Sequence, residues 1–254
     1  MMKSAITILV AVYVLAGLYL YIKQRSFLYF PTKENTEKYK NSMMENGGEK
    51  INIIVLNEGH KNAILYFGGN AESMALSSDY IAKQFPAFTV YLLDYRGYGK
   101  STGKATEEAL YSDALKLYDT IKPKHQHISV GGRSLGSGIA TYVAVNREVT
   151  RVALITPYDS IVNVAQGMYP VFPVSLLLDD HYNSASRAKE ITARTMIVMA
   201  ENDTLIPAKY TKNLIGSFVK IKPEVVTIKN RGHSDISSDE RYYKIMQDFI
   251  GDGE

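Results

Sequence analysis

The sequence contains no cysteine. That absence rules out a disulfide framework, a thiol nucleophile and the cysteine-based zinc and iron–sulfur sites. It leaves the compartment open, because a cysteine-free chain suits either side of a membrane. Charge of one sign is missing too. With 29 Lys and Arg against 26 Asp and Glu, the net +3 is too small and too evenly spread for a nucleic-acid partner. No internal repeat or low-complexity tract is present. No metal site is expected, since His125-x-His127 has no carboxylate nearby in sequence and reads as structural. Asp94 to Ser101 is rich in glycine but lacks P-loop spacing, so it reads as a turn in which Asp94 and Arg96 tie loops together. No cofactor is expected. What remains is an ordinary globular composition, 46% hydrophobic and 22% charged, on a chain long enough for one large domain.

Residues 1–25 read as a membrane anchor. Ala5 to Ile22 carries no charge and is about the minimum length for a spanning helix, with Tyr19 and Tyr21 at one end. The rival reading is a cleaved signal peptide, but the run is long for one and no small-x-small site precedes Lys23. Lys3 lies before the span, while Lys23, Arg25, Lys33, Lys38 and Lys40 follow it, which puts the rest of the chain on the cytoplasmic side by the positive-inside rule. Residues 26–50 read as a juxtamembrane linker: an aromatic cluster, Phe27 to Pro31, then a polar stretch ending in a Gly47-Gly48 turn.

From residue 51 to 254, apolar strand-like runs alternate with helical periodicity. Strands are expected at 51–56 and 63–67 (as a hairpin), then at 88–93, 128–131, 152–155, 196–199 and 225–228. Helices are expected at 72–84, 106–121, 208–218 and 240–250. That alternation predicts an α/β fold with a mostly parallel central sheet and helices on both faces. Residues 157–194 interrupt the pattern as a cap insertion.

One turn organises the remainder. Gly132-Arg133-Ser134-Leu135-Gly136 lies between an apolar strand and a helical segment, the context of a nucleophile elbow. The bare pentapeptide is weak evidence, because it arises by chance in about one chain of this length in ten. A serine nucleophile also needs a base, an orienting acid and N–H donors for an oxyanion. His233, just past the last strand, fits the base. Asp203 follows strand 196–199 and fits the acid, with Asp159 after strand 152–155 as its rival. For the oxyanion, the backbone N–H of Leu135 is one donor, and Asn70 or Gly69 in the loop after strand 63–67 supplies the other.

Taken together, Phe67-Gly68-Gly69-Asn70, Asp94 to Ser101, Gly132 to Gly136, Asp203 and His233 resemble an α/β-hydrolase. They are similar to the membrane-anchored serine hydrolase subgroup related to serine aminopeptidases and prolyl oligopeptidases. One departure is Gly68, where such relatives commonly carry His. The resemblance implies a serine hydrolase that cleaves a small-molecule ester or thioester through an acyl-enzyme on Ser134. The apolar middle of the cap, Met168 to Leu178, suggests an acyl-binding wall. Two alternatives stand beside this: a proline-type serine peptidase, and a non-catalytic membrane scaffold on a hydrolase fold. The sequence says nothing about oligomeric state.

Overall fold

The computed structural model describes residues 2–251. Helix α1 (Met2–Leu28) comes first and has no buried residue. By length and composition it can cross a membrane.

An eight-stranded sheet follows, made of β1 (Lys40–Asn46), β2 (Glu49–Leu56), β3 (Asn62–Phe67), β4 (Thr89–Leu93), β5 (His127–Arg133), β6 (Arg151–Ile155), β7 (Arg194–Ala200) and β8 (Glu224–Ile228). The strands lie in the order β1-β2-β4-β3-β5-β6-β7-β8. Every pair from β4 to β8 is parallel, while β1–β2 and β2–β4 are antiparallel. The inner parallel strands are buried on both faces, which explains why β4 and β7 read as unbroken apolar runs instead of alternating ones.

Two expectations change here. The hairpin joins β1 to β2 through Gly47-Gly48, both at positive φ, and β4 inserts between β2 and β3. A five-residue connection between two apolar strands looks the same whether they pair or a third strand comes between them. Secondly, residues 40–46 are an edge strand inside the stretch expected to be a linker. Only Met44 of that strand is buried, so its polar side chains hide the backbone pairing from a hydropathy reading.

Helices α2 (Met74–Gln84) and α9 (Glu240–Gly251) cover one face. On the other lie α3 (Glu107–Ile121), α4 (Leu135–Asn146) and α8 (Ala208–Gly216). Leu110, Ala114, Leu117 and Ile121 form the buried stripe of α3, and the Thr106 side chain accepts from Ala109 N–H to start it. Between β6 and β7 run the short helices α5 (Ile161–Met168), α6 (Val174–Leu177) and α7 (Ser184–Ala188), the first two forming a cap. The parallel arrangement brings the C-terminal ends of β3, β5, β7 and β8 to one edge, and the loops leaving that edge meet.

Candidate active site

Ser134 sits between β5 and α4 with φ 50° and ψ −117°. For a non-glycine residue such a conformation costs on the order of 1–3 kcal/mol and persists only where its surroundings enforce it. Its N–H donates to Ile155 O at 2.9 Å. The glycines on either side are needed for close approach: a Cβ on Gly132 would lie 2.3 Å from Gly136 O, and one on Gly136 would lie 2.1 Å from Phe67 O.

The structure brings Ser134, His233 and Asp203 into one row. His233 Nε2 lies 2.9 Å from Ser134 Oγ, and His233 Nδ1 lies 2.8 Å from Asp203 Oδ2. A carboxylate only accepts, so the imidazole proton belongs on Nδ1, and Nε2 is left to accept from the serine hydroxyl. Asp203 Oδ1 accepts the N–H groups of Leu205 (3.0 Å) and Ile206 (2.7 Å), which orients the carboxylate. The row is largely shielded, with side-chain exposures of 11% for His233 and 6% for Asp203. A hydroxyl beside a base that is itself held by an acid is the arrangement of an activated nucleophile. Asp159 lies elsewhere in hydrogen-bonding terms. Its carboxylate accepts from Ser160 N and from the amides of Asn163 and Asn213, and so it braces the start of the cap.

Of the expected N–H donors, those of Leu135 and Asn70 have no acceptor among the described residues. Gly69 is a correction. Its N–H donates to Glu72 Oε2 at 2.8 Å, so it has no proton to offer an oxyanion. Asn70 Oδ1 accepts from Phe30 N (3.0 Å) and Tyr98 Oη (2.9 Å), pinning this loop to the chain just beyond α1.

Three further contributors carried no signal in the sequence pattern. Arg133, the second residue of the elbow pentapeptide, donates to His233 O at 3.0 Å and lies 3.7 Å from Glu72 Oε2. It thus couples the histidine loop to the carboxylate that holds Gly69. Burial works against its charge, but Glu72 and the neighbouring phenols hold its pKa above the ordinary value. Tyr95 Oη donates to Gly68 O at 2.7 Å. The third is α1. A cavity of about 250 Å³ opens above Ser134, and Leu20, Tyr21, Gln24, Phe27 and Leu28 line it opposite the cap. The anchor was expected to lie apart from the globular domain, yet its last two turns pack on the site. Among the described residues, none that lines this cavity is charged.

The loop expected to be structural is so. Asp94 accepts from the Asn52 amide at 2.8 Å, and Arg96 makes a two-pronged pair with Asp113 at 2.8 and 2.9 Å. His125 is engaged by Tyr91 Oη and His60 O.

A family profile described as alpha/beta hydrolase fold matches residues 62–173. An esterase of Pyrococcus furiosus superposes with TM-score 0.71 over 87% of this chain and 98% of that one, at 15% identity. The chain has the α/β-hydrolase fold, and the stretch that carries Ser134 matches that family's profile. Among curated relatives, an uncharacterized Mycobacterium tuberculosis protein is 30% identical over 182 residues, covering 70% of this chain and 64% of that protein. The lysophosphatidylserine lipase ABHD12 of Bos taurus is 28% identical over 229 residues, covering 75% of this chain and 56% of that protein. The chain thus spans between about half and two-thirds of the length of these relatives.

Proposed function

We propose that this α/β hydrolase is a membrane-anchored serine hydrolase of carboxylic esters or thioesters with an acyl chain. The observation that carries the acyl preference is the uncharged, apolar cavity beside Ser134. A peptidase would need polar or charged groups to receive peptide bonds and chain ends, and the lining offers none that is charged. The lipase and esterase relatives support the same class. The elbow and the Asp94 to Ser101 turn support kinship with the subgroup related to serine aminopeptidases. The cations that follow the uncharged run support a cytoplasmic domain.

In this reading Ser134 Oγ attacks the substrate carbonyl as its proton passes to His233 Nε2. Asp203 holds the Nδ1–H tautomer and stabilises the imidazolium. The tetrahedral oxyanion takes N–H bonds from Leu135 and Asn70. As the intermediate collapses, the carbonyl–heteroatom bond breaks and the departing alkoxide or thiolate receives the proton from His233. Water then attacks the acyl-serine while His233 takes its proton. Serine leaves with that proton, and the free acid is released.

Labelling of the full-length chain by a fluorophosphonate probe tests this, alongside Ser134→Ala and His233→Ala. Wild type should label and both variants should not. A folded wild-type protein that fails to label would sink the proposal and return attention to a non-catalytic scaffold.

A further inference from the structure

Contacts between α1 and the cap fall on one stripe of the helix. Tyr13 stacks on Phe172 with ring centroids 5.0 Å apart, and its hydroxyl donates to Val171 O at 2.8 Å. Phe172 also lies over the backbone of Gly17, and Leu20, Gln24 and Leu28 continue the line into the cavity above Ser134. Spacings of three and four residues keep these positions on a single face. Polar ties lock the register near the cavity. Gln24 donates to Leu177 O (3.1 Å) and accepts from Asp179 N (2.7 Å). Just beyond, the buried Asp180 receives Arg25 Nε, Tyr29 Oη and the Glu107 N–H, at 3.1, 3.1 and 3.0 Å.

The position of the cap tip matters. Tyr13 lies in the middle of the uncharged run of α1, ten residues before Lys23, so residues 169–173 sit up to about 15 Å along the axis on the uncharged side of that lysine. A tilted helix would carry them less deep into a bilayer. Val171 within this tip and Leu176 just after it are 69% and 82% exposed. Apolar side chains set against a helix that can span a membrane meet hydrocarbon there, without the cost of exposure to water.

We infer that α1 is a wall of the substrate site as well as an anchor, and that an acyl chain passes from the bilayer into the cavity that α1 and the cap line, placing its ester at Ser134. The inference rests on the hydrolase reading and deepens it: the substrate is a lipid ester resident in the membrane. The cavity of about 250 Å³ beside Ser134 receives the end of the acyl chain next to the ester.

The test uses the full chain in phosphatidylcholine vesicles with p-nitrophenyl butyrate and p-nitrophenyl laurate, comparing wild type with Leu20→Trp, which enlarges a side chain of the α1 wall. The laurate-to-butyrate ratio of kcat/KM should fall tenfold or more. Both esters see the same preparation, so a partly unfolded variant leaves the ratio unaffected. As a second measurement, a fluorophore is attached through Val171→Cys, the sole thiol in such a chain. Brominated acyl chains should quench it, and aqueous iodide should not. A ratio that does not move, or quenching by iodide alone, overturns the inference. If neither ester is hydrolysed and the wild type resists fluorophosphonate, the hydrolase reading falls and takes this inference with it.

Discussion

The two sides of Ser134 are built by different means. On one side stand His233, Asp203, Arg133 and Glu72, polar groups held by short hydrogen bonds on loops that leave the ends of parallel strands. On the other, α1 and the cap offer an apolar surface whose few polar contacts run through Tyr13, Gln24 and Asp180. A directional network suits a reaction in which a proton must travel along a fixed line. Non-directional packing suits a chain of variable length, because dispersion and burial tolerate sliding where hydrogen bonds do not. The polar side should therefore govern rate, and the apolar side should govern which substrate is preferred.

Asp203→Asn should break the polar side most severely. An amide can donate to Nδ1, which drives the proton to Nε2 and removes the acceptor that Ser134 requires. A loss in kcat of roughly 10⁴-fold with little change in KM is expected from steady-state kinetics. Arg133→Met comes next. It releases the histidine loop and leaves Glu72 partly buried without its cation, so kcat should fall about 10- to 100-fold while KM stays within twofold. Arg133→Lys should recover part of that loss. A rise in KM at constant kcat would instead assign Arg133 to the binding side.

Asp180→Ala sharpens the comparison from the apolar side. Three donors lose one buried acceptor, and melting in detergent should show a destabilisation of about 1–3 kcal/mol. With α1 untied, hydrolysis of the laurate ester should fall more than that of the butyrate.

The smallest effect concerns pH. Hydrogen bonds from Arg241, with Arg231 behind it, hold the Asp239 carboxyl well below its usual 3.8. On acidification the unfolded chain takes up this proton before the folded one. The stabilisation is therefore present above 3.8 and is lost as pH falls below it. The melting temperature of Asp239→Asn should lie under that of wild type at pH 7, and the gap should narrow once pH falls below about 4. A gap of constant width would remove Asp239 from the acid response.

Much of the sheet was legible because parallel strands covered on both faces must be apolar throughout. The strands at β4, β5, β6, β7 and β8 and the helices at α2, α3, α8 and α9 lie within a few residues of where periodicity put them. The strand at β1 was not legible, since an edge strand with one buried side chain carries almost no hydropathy signal. Strand order was hidden for a related reason. The side chains of β2 and β3 declare that they are buried but do not say which neighbour each will pair with.

At the site, the sequence by itself determined the local chemistry: a serine on a turn that only glycine neighbours permit, a histidine after the last strand, and an acid after the strand before it. Those depend on short-range sterics and on chain order, which a linear reading contains. Only the tertiary structure decided that Gly69 spends its N–H on Glu72, that Arg133 bridges two loops, and that Asp203 and not Asp159 faces His233. It also decided the place of α1. A helix with a long uncharged run looks the same whether it meets lipid on every side or gives one face to the protein, because packing against other apolar groups leaves no mark on its composition. Its stripe from Tyr13 to Leu28 becomes a wall only when the cap, more than 130 residues further along the chain, folds against it.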